Sequence, residues 1–224
     1  VTATVVNLTA TEHGILSFVS DRLKHENNEN VLSAVGTMHG RAVGRLLDSD
    51  LLSRVDAFST SKPGSGSQAT LVTIAGAVSY LRTNNNDAYG PAPSKPNAVL
   101  HPEQIRRLAQ EVGGITAAGT GITAGAVIPE GPSAEVIQSY WRGNDPIFGV
   151  PIYEDGNISV DSNNAKGGVF AKEALALAME LEIHAEEERD ASLRGTEIVT
   201  VGTWGESIIV DEWGIEVFSL ASAI

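Results

Sequence analysis

The sequence contains no cysteine and few aromatic residues, which make up 5% of its 224 residues. Without cysteine, disulfide bonds, thiolate chemistry and Cys-ligated zinc sites are excluded, so packing and hydrogen bonding must stabilise the fold. Long apolar runs are also lacking. None approaches the roughly 20 residues that a membrane-spanning helix requires, so we expect no membrane partner.

Basic residues are few, with 15 Lys and Arg against 28 Asp and Glu and a net charge of −13. A protein that grips a phosphate backbone needs a basic face, so tight nucleic-acid binding is not expected. This acidity suits a surface that stays soluble at high concentration, or one that must not adhere to packed nucleic acid. Hydrophobic residues make up 42% of the chain, which is enough for a globular core.

A helical period begins at residue 30 and predicts a helix over residues 30–52, about 30 Å long. Its apolar stripe consists of residues spaced three and four apart, namely Val31, Val35, Met38, Ala42, Leu46 and Leu47. Gly36, Gly40 and Gly44 follow each other at intervals of four on one side of this helix. Because each interior glycine costs about 1 kcal/mol relative to alanine, we predict that another backbone packs closely there. The alternative is a glycine-tolerant stripe on a surface helix.

The first third of the chain otherwise alternates between extended and polar segments. Residues 1–19 predict one or two strands with a break near Glu12, His13 and Gly14, because Thr and Val favour extended backbone. Residues 21–29 are polar and predict a loop. Residues 59–67, STSKPGSGS, have the composition of a flexible linker.

The middle of the chain predicts two helices around a short strand. An amphipathic pattern predicts a helix over residues 68–81, and Asn97-Ala-Val-Leu predicts a buried strand. Pro102 suits the first turn of a helix that continues to about Val112. Residues 113–131 are rich in Gly, Ala and Thr and predict a mobile loop or hairpin, because their GTGITAG run lacks the GK[ST] ending of a phosphate-binding loop.

The stretch from Pro146 to Leu220 predicts a sheet with one helix laid on it. An apolar run comes first, then a helix over residues 170–181, then the charged loop EEERDASLRG, and finally three short strands. Strands and helices are mixed without regular alternation, so the fold class is α+β rather than a doubly wound parallel sheet.

Candidate chemistry centres on His184, which lies among several carboxylates. This histidine could bind a metal or act as a base. The sequence has no HExxH motif to support such a site and no GxSxG motif for a serine nucleophile. We favour a strand that ends in a solvated acidic loop. We therefore predict no catalytic residue, no cofactor and no metal, and a non-enzymatic chain, with a small acidic enzyme using the His184 region as the remote alternative.

Four segments, in this order, resemble the major capsid proteins of tailed bacteriophages, which have the Hong Kong 97 (Johnson) fold. The first pairs LVTIAGAVSYL with NAVLHPEQIRRLAQ, and the second is IFGVPIYEDGNI, similar to the family's W/F-G-x-P-V segment. The third is GGVFAKEALALAMELEIHAEEERD, and the fourth is GTEIVTVGTWGESIIVDEWGIEVFSL. The resemblance extends over about residues 30–220 and lies in the ordered set, because no single motif is diagnostic.

The resemblance implies a domain assignment. Residues 1–29 resemble the end of an extended loop (E-loop) that reaches a neighbouring subunit. Residues 30–66 and 149–224 resemble the peripheral (P) domain, with its long spine helix at residues 30–52. Residues 67–148 resemble the axial (A) domain, which faces the capsomer centre. Two origins of Val1 stay open: a maturation cleavage, or a sequence that begins inside a longer chain.

The implied function is that of a major capsid protein in the virion, assembled in the host cytoplasm. Such subunits form hexamers and pentamers that close into an icosahedral shell around double-stranded DNA without sequence-specific binding. A portal protein is an expected partner, with decoration or scaffolding proteins as further ones. No Lys here aligns with the residue that some members cross-link to a neighbour's Asn, so no cross-link is predicted. An encapsulin, a bacterial compartment of the same fold that encloses cargo enzymes, is the main alternative.

Overall fold

The computed structural model describes residues 5–26, 30–83, 89–112 and 146–221, without the side chains of residues 110–112. No helix within these ranges is long and apolar enough to cross a membrane. The prediction for residues 113–131 lies outside the described residues.

The described residues form nine strands and four α-helices. The strands are β1 (Thr11–Ser20), β2 (Ser61–Pro63), β3 (Asn97–Leu100), β4 (Ile152–Glu154), β5 (Val160–Asp161), β6 (Asn164–Phe170), β7 (Leu175–Asp190), β8 (Gly195–Ile208) and β9 (Gly214–Leu220). The helices are α1 (Asp21–Glu26), α2 (Val31–Val55), α3 (Leu71–Arg82) and α4 (Pro102–Val112). Two short 3-10 turns lie at Lys172–Ala174 and Asp211–Trp213.

The chain divides into two compact units. Unit 1 comprises Val1–Leu51 and Ala176–Ser207, and unit 2 comprises Leu52–Leu175 and Ile208–Ile224. Each unit has its own sheet. The assignment of named capsid domains to parts of this chain stays a prediction.

The sheet of unit 1 has the strand order β1-β8-β7 in its described part. Strands β1 and β8 are antiparallel and in register from Thr11 opposite Trp204 to Ser20 opposite Gly195. Alternation along β8 places Ile198 and Trp204 on the buried face, at 2% and 1% exposure. Helix α2 lies on this face and buries Val43 there.

Two predictions for unit 1 are wrong, and a third is confirmed with a later end. Strand β1 continues through Glu12, His13 and Gly14 without the predicted break, because all three residues pair with β8. Residues 21–26 form helix α1 rather than a loop, and the Ser20 hydroxyl accepts a hydrogen bond from the Leu23 amide at its start. The predicted long helix is confirmed as α2 and ends three residues later than expected.

The buried side of α2 differs from the predicted apolar stripe. Met38 is 66% exposed and Leu46 is 38% exposed, whereas His39 and Val43 are buried. The true stripe therefore includes a histidine, which a purely apolar pattern passes over.

The largest error concerns residues 170–181, which form no helix. Strand β6 ends at Phe170, the 3-10 turn follows, and β7 then runs for 16 residues. The Ala-, Leu-, Met- and Glu-rich sequence has high helix propensity, but pairing with β8 overrides that preference. The first half of the predicted acidic loop, residues 186–190, lies within β7, and residues 191–194 form the turn before β8. The three predicted closing strands are two, β8 and β9.

The sheet of unit 2 has the order β2-β9-β6-β3-β4, with β5 paired to β6. Its core packs the two helices α3 and α4 against the sheet. The fully buried members of this core include Ile74, Leu81, Leu100, Leu108, Ile152, Val169, Ile215 and Val217. Glycine is required at Gly168 in β6, because a Cβ atom there would lie 2.2 Å from Cγ1 of Val55.

The predictions for unit 2 are mostly confirmed. Helix α3 begins after Thr70, whose hydroxyl accepts from the Thr73 amide while the Thr73 hydroxyl accepts from the Thr70 amide. Strand β3 and helix α4 have the predicted bounds, and α4 begins at Pro102. The predicted linker is wrong at Ser61–Pro63, which pairs in parallel with β9 as strand β2.

Candidate assembly surfaces

Strands β7 and β8 form a long hairpin that ends in a tight turn. A single Asp190 carboxylate oxygen accepts hydrogen bonds from the Ser192 amide (2.8 Å), the Ser192 hydroxyl (2.6 Å) and the Leu193 amide (3.1 Å). These bonds, led by the one from the Ser192 hydroxyl, lower the pKa of Asp190. Arg194 closes the turn with a left-handed φ of 53°. The tip therefore has a fixed backbone although it is exposed.

Helix α1 is bonded to the base of this turn. The Arg189 guanidinium donates to both carboxylate oxygens of Asp21, with Nη2 2.9 Å from Oδ2, and this lowers the pKa of Asp21. The Asp21 amide donates to the Arg194 carbonyl at 2.9 Å. The Lys24 ammonium donates to the Thr196 hydroxyl at 2.6 Å. These bonds hold the end of the hairpin against the chain that follows β1.

A buried polar network attaches α2 to the sheet of unit 1. The His39 ring is 5% exposed and bridges the Ser17 hydroxyl, at 2.7 Å, and the Thr200 hydroxyl, at 3.2 Å. Trp204 donates from Nε1 to a carboxylate oxygen of Asp50 at 3.0 Å. The sequence pattern missed this network. A local indication of it was the four-residue spacing of His39 and Val43, which places both residues on the same side of the helix.

Strand β7 is an edge strand in the described sheet and is exposed along most of its length. One row of its side chains is apolar yet between 37% and 43% exposed, namely Leu177, Met179, Leu181 and Ile183. A long edge that exposes apolar side chains and lacks proline is a template for pairing with another chain. We call it the β7 edge.

The predicted candidate for chemistry, His184, lies on the β7 edge. Its Nδ1 is 2.9 Å from the Glu182 carbonyl oxygen and its Nε2 is 3.4 Å from a Glu186 carboxylate oxygen. These two neighbours, the carbonyl first, raise the pKa of His184. Within the described ranges, no three His, Asp or Glu side chains come together as a metal-binding group.

The glycine row of α2 has no close neighbour among the described residues. A Cβ atom at Gly36, Gly40 or Gly44 would meet none of their atoms within 4 Å, apart from the helix itself. The described part of the fold therefore does not require glycine at these positions. The predicted close approach of another backbone at these glycines stays a prediction.

Unit 2 contains a cluster of charged groups where α2 ends. The Lys166 ammonium lies 2.9 Å from a carboxylate oxygen of Asp56, and this hydrogen bond raises the pKa of Lys166. Glu216 is 7% exposed, and burial raises its pKa. A hydrogen bond with Ser61 acts in the opposite direction, and the neighbouring Asp56 raises the pKa of Glu216 further. The cluster connects β2, β6 and β9 to the end of the long helix.

A buried glutamine organises the rest of this sheet. The Gln104 amide donates to the carbonyls of Ala165 (3.1 Å) and Val217 (2.9 Å) and to the Ser219 hydroxyl (2.7 Å). Its oxygen accepts from the His101 amide at 3.0 Å. Gln104 is fully buried and its network is satisfied, so it fixes how α4 sits on strands β6 and β9.

Comparison with family models and with curated protein sequences finds no match. Solved structures do match. A chain of Mycobacterium phage Che8 aligns with a TM-score of 0.67 and 16% identity over 92% of this chain and 70% of that chain. The capsid of Ralstonia phage GP4 aligns with a TM-score of 0.70 and 12% identity over 96% of this chain and 74% of the other.

An encapsulin is also similar. The holo-SrpI encapsulin complex from Synechococcus elongatus aligns with a TM-score of 0.61 and 9% identity over 96% of this chain and 74% of that one. Structures from bacteriophages predominate among these neighbours. The chain has the α+β Hong Kong 97-type capsid fold.

Proposed function

We propose that this chain is a major capsid protein that assembles into the icosahedral shell of a tailed bacteriophage and encloses its double-stranded DNA. The observation that carries the proposal is the alignment of 96% of the chain with a phage capsid subunit at a TM-score of 0.70. Because the alignment extends over nearly the whole chain, it includes both compact units rather than one shared motif.

The surface of the chain supports assembly. The β7 edge leaves a row of apolar side chains exposed, and such rows mark places where another chain binds. In a closed shell each subunit repeats the same contacts many times, so individually weak interfaces suffice. The net charge of −13 suits a wall that holds packed DNA without adhering to it.

A structural rather than an enzymatic role follows from this proposal. The enzyme alternative depends on His184, whose side chain is 40% exposed on an edge strand. Among the described residues, its ion-pair neighbour is Glu186 of the same strand. We further propose that the shell forms in the host cytoplasm and is part of the virion. Its proposed partners are a portal protein and, where the shell requires them, scaffolding or decoration proteins.

The direct test is the size of the purified protein. We expect negative-stain microscopy and light scattering to show closed particles of uniform diameter built of pentamers and hexamers. A chain that stays a monomer or dimer at every concentration, salt and pH tested would refute the proposal.

The second candidate function is an encapsulin shell, favoured by the similarity to the Synechococcus elongatus encapsulin. The contents of particles from the native source distinguish the two. Nuclease-protected double-stranded DNA supports the phage capsid, and a co-purified enzyme supports the encapsulin. The neighbouring genes give a second criterion, because portal and terminase genes accompany a phage capsid.

We propose that residues 30–66 and 149–224 form the P domain, that residues 67–148 form the A domain, and that residues 1–29 end an E-loop. We also propose that Gly36, Gly40 and Gly44 let a neighbouring subunit approach α2 closely, or let α2 bend as the shell expands. No described residue outside α2 fills the space beside these positions. A side chain added there would therefore act on assembly rather than on folding.

Gly40→Leu tests the glycine proposal. We expect it to abolish particle formation while the thermal unfolding of the unassembled chain stays within a few degrees of wild type. Ser49→Leu is the matched control, because nine helical residues turn roughly 180° and Ser49 is exposed on the opposite side of α2. Normal particles from Gly40→Leu would contradict the proposal, as would equal loss of particles in both variants.

A further inference from the structure

The β7 edge carries two chemically different rows of side chains. Ile183 lies 3.0 Å from the position that a Cβ of Gly202 would take, beside Trp204. The apolar row therefore lies on the face of the sheet that carries α2. Because side chains alternate along a strand, the other row lies on the opposite face. That row consists of Glu180, Glu182, His184, Glu186 and Glu188.

One backbone edge of β7 has no partner among the described strands. In the described sheet β7 is bonded to β8 on one side, and no described strand lies on its other side. The strand has 16 residues with neither glycine nor proline, so it presents a long straight edge. An added strand would bond to this edge and place its own alternate side chains beside the two rows of β7.

Charge decides which strand fits. A second copy of β7 is disfavoured, because it would bring two rows of glutamates together. A strand with basic residues at every second position would meet the glutamates, while its other residues covered Leu177, Met179, Leu181 and Ile183. Apolar side chains at those other positions complete the match.

Residues 1–224 contain no such strand. Among their 15 basic residues, only Arg22 and Lys24 stand two positions apart. They lie in helix α1, where Lys24 is bonded to Thr196 and Arg22 to Glu26.

We propose that the β7 edge is a docking site for an extended segment of a second protein in which lysine or arginine alternates with apolar residues. The segment adds a strand beside β7, with its basic side chains against the glutamate row and its apolar side chains against the apolar row. The site requires the hairpin only. It goes beyond the proposed shell function, and binding is measurable whether or not the chain forms particles.

The test uses the full-length chain and a fluorescent twelve-residue peptide of alternating Lys and Val, followed by anisotropy. The controls are a peptide of alternating Glu and Val and a peptide of the same Lys and Val content in the order Lys-Lys-Val-Val. We expect the alternating Lys peptide to bind at least about tenfold more tightly than either control, because only it satisfies both rows at once. Hydrogen exchange should show protection of the β7 amides and not of β1, the other edge of the same sheet.

Two variants separate the contributions of the rows. Glu180→Gln/Glu182→Gln/Glu186→Gln should weaken binding about tenfold and reduce its salt dependence, because three exposed charge pairs are lost. Leu181→Lys should weaken binding by a similar factor through the other row. Glu12→Gln, an exposed carboxylate on β1, is the matched control and should bind like wild type. Circular dichroism checks that each variant is folded.

Equal binding of the alternating and the Lys-Lys-Val-Val peptides would overturn the proposal, because it would indicate charge attraction without strand pairing. Protection at β1 or elsewhere, without protection at β7, would overturn it as well. Failure of the chain to form particles would refute the proposed shell function and leave this result unaffected.

Discussion

The two units of this chain bury their apolar side chains to very different degrees. Unit 2 closes a core in which Ile74, Leu100 and Leu108 are fully buried between helices and sheet. Unit 1 covers one face of its sheet with α2 and leaves Leu177, Met179 and other apolar residues about 40% exposed. Among the described residues, unit 2 thus holds the larger closed core, and unit 1 leaves a row of apolar side chains uncovered along one strand. We expect stability to depend mainly on the core of unit 2 and the binding of other chains on unit 1.

Truncation of one leucine in each unit gives the largest expected difference. Leu100→Ala should lower the free energy of unfolding by about 2–5 kcal/mol, because it opens a cavity in the core of unit 2. Leu177→Ala should change the stability of the unassembled chain by less than about 0.5 kcal/mol, because its side chain is 41% exposed. Urea unfolding measures both. Similar losses of unfolding free energy in the two variants would show that the hairpin is part of a closed core and would contradict the difference between the units.

A glycine from each unit gives an intermediate effect. Gly168→Ala should destabilise the chain by about 1–3 kcal/mol, because the new methyl group meets the buried, β-branched Val55. Gly40→Ala should stabilise the unassembled chain by up to about 1 kcal/mol, since it meets no neighbour and favours the helix. Thermal unfolding of the two variants beside wild type is the measurement. A destabilising Gly40→Ala would indicate a contact within the chain.

The smallest expected effect concerns pH. The folded-state pKa of Glu216 is raised, so the folded chain holds this proton more tightly than the unfolded chain does. The contribution of Glu216 to stability is therefore fully present below its unfolded pKa and is lost as the pH rises through the folded pKa. Glu216→Gln should consequently raise the stability at pH 7.5 by about 1 kcal/mol or less, and the gain should shrink toward pH 4.

Glu180→Gln is the control for this pH series, because Glu180 is exposed on the β7 edge. Its unfolding temperature should follow that of wild type at each pH. If Glu216→Gln lowers stability at pH 7.5, the ionised carboxylate must stabilise the fold through Lys166 and Ser61, and the assigned direction is wrong.

Sequence patterns located those elements whose local preference agrees with their environment. Helices α3 and α4 have clear amphipathic periods and, at Pro102, a start signal, and both form where predicted. Strand β7 was missed because its residue types favour a helix. The alternation of Leu175, Leu177, Met179, Leu181 and Ile183 was the opposing signal. The choice between helix and strand depends on pairing with β8, which lies later in the chain, so the local sequence does not decide it.

Sequence patterns did not predict the buried polar groups, and the reason here is different. Gln104 is buried because three acceptors on two distant strands converge on its amide. His39 is buried because hydroxyls from β1 and β8 flank its ring. Nothing local to either residue encodes these partners. Both follow from tertiary structure, whereas the overall capsid fold followed from the order of whole segments.

The turn at the end of the β7–β8 hairpin makes the chain convenient for single-site labelling. Asp190 fixes the turn through the backbone amides of Ser192 and Leu193, so the Leu193 side chain takes no part in holding it and is 61% exposed. Because the sequence has no cysteine, Leu193→Cys gives each copy one thiol at a defined place. Probes attached there act as a spectroscopic ruler, whose distances report how neighbouring copies are arranged.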